Sequence, residues 1–221
     1  MCGRFTLRTD PEQLALRFGC QFPADLAPRY NIAPTQAVAA VRAEAEGRRQ
    51  FTLLRWGLIP SWAKEASIGN RLINARAESV ATKPAFRAAF QRRRCLVLAD
   101  GFYEWKKTGR AKEPYYIRMP DEKPFAFAGL WDRWRDPQGG EPVESCTIIT
   151  TAASPEVRQI HDRMPVILDE AGCAQWLDPR EEGPERLQSL LRPWHALRID
   201  AVDRRVNNPR HEGPSCIALR E

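Results

Sequence analysis

Cys2 stands directly behind the initiator methionine, so removal of Met1 would leave a chain that begins with an α-amine and a thiol on one residue. That pair is a reagent for aldehydes. The amine condenses with the carbonyl to an imine, losing water, and the thiol closes on the imine carbon to give a five-membered thiazolidine. Both nucleophiles belong to one residue, so proximity favours ring closure. Reference pKa values near ~8 for the amine and ~8.5 for the thiol leave neither fully deprotonated at neutral pH. Neighbouring acid–base groups and charge partners are therefore expected. An internal cysteine cannot react this way, because its nitrogen is an amide. The ordinary alternative is a chance second residue with Met1 retained. In the following GRF, Gly3 permits close approach of a partner and Arg4 sets a phosphate-type donor beside the reactive end.

Four further stretches carry polar groups suited to such a site. In NRLINARAES, Asn74, Arg76 and Glu78 share one face if the segment is extended. Asn74 would then orient a substrate oxygen or the terminal amine and Arg76 would hold phosphate, unless this is an ordinary strand edge. In DGFYEWKK, Glu104 lies between two aromatics, a setting that holds a cationic amine or relays a proton. A structural ion pair with a nearby lysine or arginine is the competing reading. IHDRMPVIL supplies His161, the best placed of three histidines for proton transfer near neutral pH, or a helix-end hydrogen bond. RWGLIPSW offers Trp62 for stacking on an unpaired base, with Pro60 fixing the turn and Trp56 equally suited to the core.

These residues need a scaffold, and hydrophobic patterning supplies one. TDPEQLALRF reads as a helix with Asp10 as cap and Pro11 in the first turn. FPADLAPRYNIAP is a structured loop by its proline content. QAVAAVR and QFTLLRWGLI read as two strands joined across EAEGRR, and KPAFRAAFQRR as a helix. From residue 95 the pattern is strongly β: CLVLA, GFYEWKK, PYYIRM, PFAFAGLW and SCTIITT. ASPEVRQI, DEAGCAQWL and GPERLQSLL read as short helices, and LRIDAVDRRV returns to strand. The expected fold is α+β: one domain over residues 1–221, with a mixed, largely antiparallel, curled or barrel-like β core flanked by short helices.

The 221 residues suffice to bury roughly 70% of the unfolded surface without disulfide or metal. A net charge of +6, from 34 Lys and Arg against 28 Asp and Glu, weakly favours an anionic partner. No run of about 18 apolar residues suggests a membrane span, and no secretory signal is apparent, so a cytoplasmic location is expected. None of the six cysteines forms a CxxC pair or a zinc spacing with histidine; Cys95 and Cys146 sit in apolar runs and read as buried thiols. P-loop, dinucleotide, HExxH and G-x-S-x-G patterns are absent. No metal or cofactor is expected, and a monomer is the default.

Taken in order, MCGRF, YNIAP, WGLIPSW, INARAES, GFYEWKK and IHDRMPVIL resemble the SOS-response-associated peptidase family, also called abasic-site processing proteins. The resemblance runs from residue 1 to about residue 170. It implies an α+β fold with a barrel-like centre and a basic groove for single-stranded DNA containing abasic sites, hence a DNA-associated protein at the nucleoid. It implies removal of Met1, a thiazolidine crosslink from Cys2 to the opened deoxyribose, and accompanying lyase and autoproteolytic activity. Asn74 then corresponds to the amide that positions the reacting end, Glu104 to the carboxylate beside the amine, and His161 to the general acid–base group. Arg4 and Arg76 correspond to phosphate contacts and Trp62 to an aromatic near the DNA bend. Two other readings stay open on the residues alone: an N-terminal-nucleophile cysteine amidohydrolase or protease, and a noncatalytic single-strand binder.

Overall fold

VESCTIITTA, in which six of ten residues are β-branched, makes the strand on which most of the architecture hangs (β10, Val143–Ala152). We describe residues 2–44, 47–109, 111–181 and 183–220 of a computed structural model. The earlier strands are β1 (Phe5–Leu7), β2 (Arg29–Ile32), β3 (Ala37–Ala43), β4 (Arg49–Trp56) and β5 (Asn74–Arg76). They are followed by β6 (Arg94–Ala99), β7 (Gly101–Thr108), β8 (Ala111–Arg118) and β9 (Phe125–Trp134), and, after β10, by β11 (Arg163–Pro165), β12 (Ile167–Leu168) and β13 (Arg198–Ala201).

The first half of β10 pairs with β9 antiparallel and, on its other side, with the end of β4 in parallel. β4 pairs with β3, β3 with β6, and β6 with β9, all antiparallel. Those five strands close a ring, which removes the free edges an open sheet would present. The second half of β10 takes β5 in parallel and β11 antiparallel, so it positions both segments that follow the ring. A second sheet runs β13-β8-β7-β1-β2. Its first strand brings the chain's beginning into register with β7 through Phe5 opposite Phe102.

One apolar core joins the two sheets. Phe5 meets Trp56 edge-on at 5.1 Å and Phe127 at 5.7 Å, and Trp56, Phe127 and Phe102 are all fully buried. Short helices cover the outside: α1 (Pro11–Phe18), α2 (Arg87–Arg92), α3 (Pro155–Arg158), α4 (Glu170–Leu177) and α5 (Pro184–Ser189). Asp10 caps α1 by accepting from the Glu12 amide at 2.8 Å, as its sequence predicts. Among the described residues no helix is long and apolar enough to cross a membrane.

The α+β expectation holds, barrel-like centre included. Three local expectations do not. YNI, read as loop because prolines flank it, is strand β2, since the prolines stand outside the ladder and leave its amides free to pair. Glu78 leaves the face of Asn74 and Arg76, because β5 stops at Arg76 and a turn follows. The final strand ends at Ala201: the Asp203 carboxylate accepts from the Arg205 amide at 2.8 Å and starts a 3₁₀ turn over Arg204–Asn207.

Candidate active site

Chain segments far apart in sequence converge beside β1. Cys2 is fully buried, and its carbonyl accepts from Asn74 Nδ2 at 2.8 Å. Asn74 sits there because the short β5 is laddered to Ile148–Thr150 of β10 and because Trp56 Nε1 donates to the Ile73 carbonyl at 2.9 Å. The Asn74 Oδ1 atom is buried and has no hydrogen-bond partner among the described residues. Burial pushes the Cys2 thiol well above its ordinary range, and the nearby negative charge of Glu104 pushes it further.

Glu104 comes from β7 and is 3% exposed. Its carboxyl is raised to about 7, chiefly by burial, with the Asp162 charge adding to the effect. Within β7 the alternation that buries Tyr103 against Tyr116 turns Glu104 to the opposite side of the strand, where Cys2 lies within reach of its charge. His161 follows α3, whose last turn is held by the His161 amide donating to Val157 O at 3.0 Å. Its ring Nδ1 accepts from the Arg163 amide at 3.0 Å, so the neutral ring carries its proton on Nε2. Nδ1 also lies 3.0 Å from Asp162 Oδ1, which would accept a hydrogen bond from Nδ1–H if the ring charged. Burial comes first among the causes that lower the His161 pKa below its usual 6.5.

Glu104 and His161 open onto a cleft of ≈ 530 Å³, which Arg4 and Trp105 also line. Arg4 is held in place. Its Nη1 donates to Asn31 Oδ1 at 2.7 Å and to Val206 O at 3.0 Å, and its guanidinium lies 5.6 Å from the Trp105 ring. The fully buried Asn31 in turn donates through Nδ2 to the carbonyls of Asn208 at 3.0 Å and His211 at 2.7 Å. Trp105 Nε1 donates to Asn207 Oδ1 at 2.6 Å, so the segment after β13 forms the remaining wall. Sequence reasoning passed over Asn31, Trp105 and Asn207. A polar residue inside the YNI run was the available signal for Asn31.

Of the residues singled out from the sequence, the structure therefore gathers Cys2, Arg4, Asn74, Glu104 and His161. Arg76 and Trp62 stand outside the cleft lining, both exposed, Trp62 at 60%. Glu78 serves elsewhere, taking a bidentate ion pair from Arg163 at 2.6 and 3.0 Å. Among the described residues no group of three or more His, Cys, Asp or Glu side chains is placed to hold a metal ion.

A model of the SOS response associated peptidase (SRAP) family matches residues 1–209, nearly the whole chain. The chain belongs to the SRAP family. Its similarity to the abasic site processing protein YoqW of Bacillus subtilis is 42% identity, over 98% of this chain and 99% of the relative. To the abasic site processing protein HMCES of Gallus gallus it is 33%, over 86% of this chain and 66% of the longer relative. Among solved structures, a crystal structure of a Bacteroides thetaiotaomicron protein superposes over all of both chains with a TM-score of 0.89 at 28% identity. The SRAP fold thus extends through β13 and the cleft wall that follows it.

Proposed function

We propose that this SRAP protein captures abasic sites in single-stranded DNA through Cys2, once Met1 has been removed. The amine attacks the aldehyde of the ring-opened deoxyribose, and the carbonyl oxygen leaves as water to give an imine. The thiol then adds across the C=N bond. Sulfur bonds to the former aldehyde carbon, its proton passes to nitrogen, and one water is lost overall. A buried thiol with a raised pKa needs a base at that step, and Glu104, poised near neutrality, can take the sulfur proton and deliver it to nitrogen. His161, with its proton on Nε2, is the acid for the departing water. Asn74 fixes the Cys2 carbonyl, and its unpartnered Oδ1 is the acceptor that a freed amine would satisfy.

Arg76 and Arg4 serve as phosphate contacts and Trp62 as a stacking surface, which gives binding that is salt-dependent and weakly base-selective. Single-stranded DNA presents the opened sugar without the unpairing work a duplex demands. An imine also permits β-elimination toward the 3′ side, a lyase branch that ring closure suppresses, and removal of Met1 is the proposed autoproteolytic step. The observation that carries this reading is the 2.8 Å tie from Asn74 to Cys2 beside a buried carboxyl, in a chain whose relatives are named for abasic-site processing.

Intact-mass analysis tests it. The expected result is loss of Met1, then an adduct mapped to Cys2 after exposure to abasic single-stranded DNA. Cys2→Ala keeps an amine but no thiol, so it should lose the stable adduct and retain only an imine trapped by reduction. An adduct at Cys95, or undiminished stable product from the alanine variant, would overturn the mechanism. An acyl-cysteine intermediate on an amide substrate would favour the amidohydrolase reading, and equal binding of intact and abasic DNA without covalent product the noncatalytic one.

A further inference from the structure

The hairpin that supplies Glu104 carries two cations at its far end. In the β7–β8 register Trp105 faces Pro114, Lys106 faces Glu113, and Lys107 faces Lys112. Opposed residues on an antiparallel pair bring their side chains to roughly 5 Å, and like charges placed so are destabilising. The preceding rung is complementary; this one is not. Neither Lys107 nor Lys112 forms an ion pair with a described residue, although exposed arginines such as Arg180, Arg198 and Arg204 do. The adjacent carboxylate, Glu113, is engaged by Arg220 at 3.0 Å and by Arg204 at 3.6 Å. Both lysines are exposed, and both line the same cleft as Glu104 and His161.

We infer that Lys107 and Lys112, facing each other across the β7–β8 hairpin, together hold one backbone phosphate of the DNA strand whose abasic sugar lies at Glu104. An anion between them removes the like-charge penalty and converts it into binding. Lys107 stands three positions beyond Glu104, roughly 10 Å along the strand and on its Trp105 side. The phosphate is therefore not that of the reacting sugar but one farther along the strand. Trp105 lies between, its indole fixed from two sides by Arg4 and Asn207, and forms the intervening apolar surface on which a base can rest. The strand thus leaves the reacting centre over this hairpin. The inference rests on the DNA reading above and adds the direction of exit and a site for a particular phosphate.

The test is equilibrium binding of an intact single-stranded oligonucleotide, measured by fluorescence anisotropy between about 50 and about 200 mM salt. Each neutralised phosphate on a single strand contributes about 0.7 to the slope of log K against log salt. Neither Lys107→Ala nor Lys112→Ala alone should lower the slope magnitude by more than about 0.7, since the remaining lysine still faces the shared phosphate. The Lys107→Ala/Lys112→Ala double variant should lower it by about 0.7, the contribution of that one phosphate. Lys106→Ala, on the same hairpin but outside the cleft lining, should leave the slope unchanged. A slope equal to wild type in the double variant would overturn the inference. A loss of about 0.7 from Lys106→Ala, or about twice that in the double variant, would overturn it as well. If the wild-type protein forms its Cys2 adduct while the lysine variants bind normally, only this inference fails; if it neither binds DNA nor forms the adduct, the functional reading fails with it.

Discussion

At the scale of single residues, the site turns on carboxyl and imidazole groups whose burial works against their charged forms. Glu104 titrates near 7 in the fold against an ordinary value of 4.5. A raised carboxyl pKa means the fold prefers the protonated form. The group's favourable contribution is complete below about pH 4.5 and is lost as pH rises through about 7. Glu104→Gln keeps the shape without the charge. Its melting temperature should exceed that of wild type at pH 8, and the gap should close as pH falls toward 4.5, as read by thermal denaturation across that range. A gap that widens on acidification would show that Glu104 is held ionised. The same substitution should slow adduct formation by about 10²- to 10⁴-fold if the carboxyl moves protons in the reaction. Residue types offered Cys2, Asn74, Glu104 and His161 as candidates beside ordinary structural readings, and the family resemblance gave them their roles. What could not be read was how Arg4 is anchored, because Asn31 lies 27 residues away and its other partners lie near the chain's end.

Among the elements, β4 and β5 show how a backbone constraint reaches the chemistry. Gly57, just past β4, has φ +124°, and a Cβ there would stand 2.6 Å from the Gly69 carbonyl oxygen. Two costs coincide: an unfavourable dihedral and a backbone clash. Gly57→Ala should therefore destabilise by about 2–4 kcal/mol, a fall of roughly 5–15 °C for a chain of this size, measured by calorimetry. It should also impair adduct formation in the folded fraction, since the neighbouring Trp56 holds Ile73 and so the start of β5. Alternation or continuous apolar runs revealed β3, β4 and β6 through β10; β6 and most of β9 and β10 are buried on both sides and so read as unbroken apolar stretches. The partners of β10 were not legible. Its pairing with β4 and β5 joins segments about 70 to 90 residues apart in parallel, and nothing local encodes that. The two- and three-residue strands β11 and β12 are too short to show a period, and β2 was hidden by its flanking prolines.

For the whole molecule, the segment after β13 folds back onto the beginning of the chain. Asn31 is the pin: two amide hydrogens serve the carbonyls of Asn208 and His211, with Val206 O a longer contact at 3.4 Å, while Oδ1 receives Arg4. Asn31→Ala orphans several buried polar groups at once and should cost about 3 kcal/mol or more, read by chemical denaturation. Because Arg4 and the wall at Asn207 shift together, binding of single-stranded DNA should weaken in the same variant even where it remains folded. A variant as stable as wild type would show that water replaces the amide without loss.

Cys2 occupies the seam between the closed ring and the open sheet. Asn74 reaches it from the ring side, whereas Glu104 and the pairing of Phe5 belong to the open one. Edge-on aromatic contacts and the Asn74–Cys2 hydrogen bond join the halves there, and among the described residues no strand ladder crosses the seam. On gentle warming, slippage along that boundary would pull amide and carboxylate apart while every strand stays paired, so reactivity should fade ahead of any spectroscopic sign of melting.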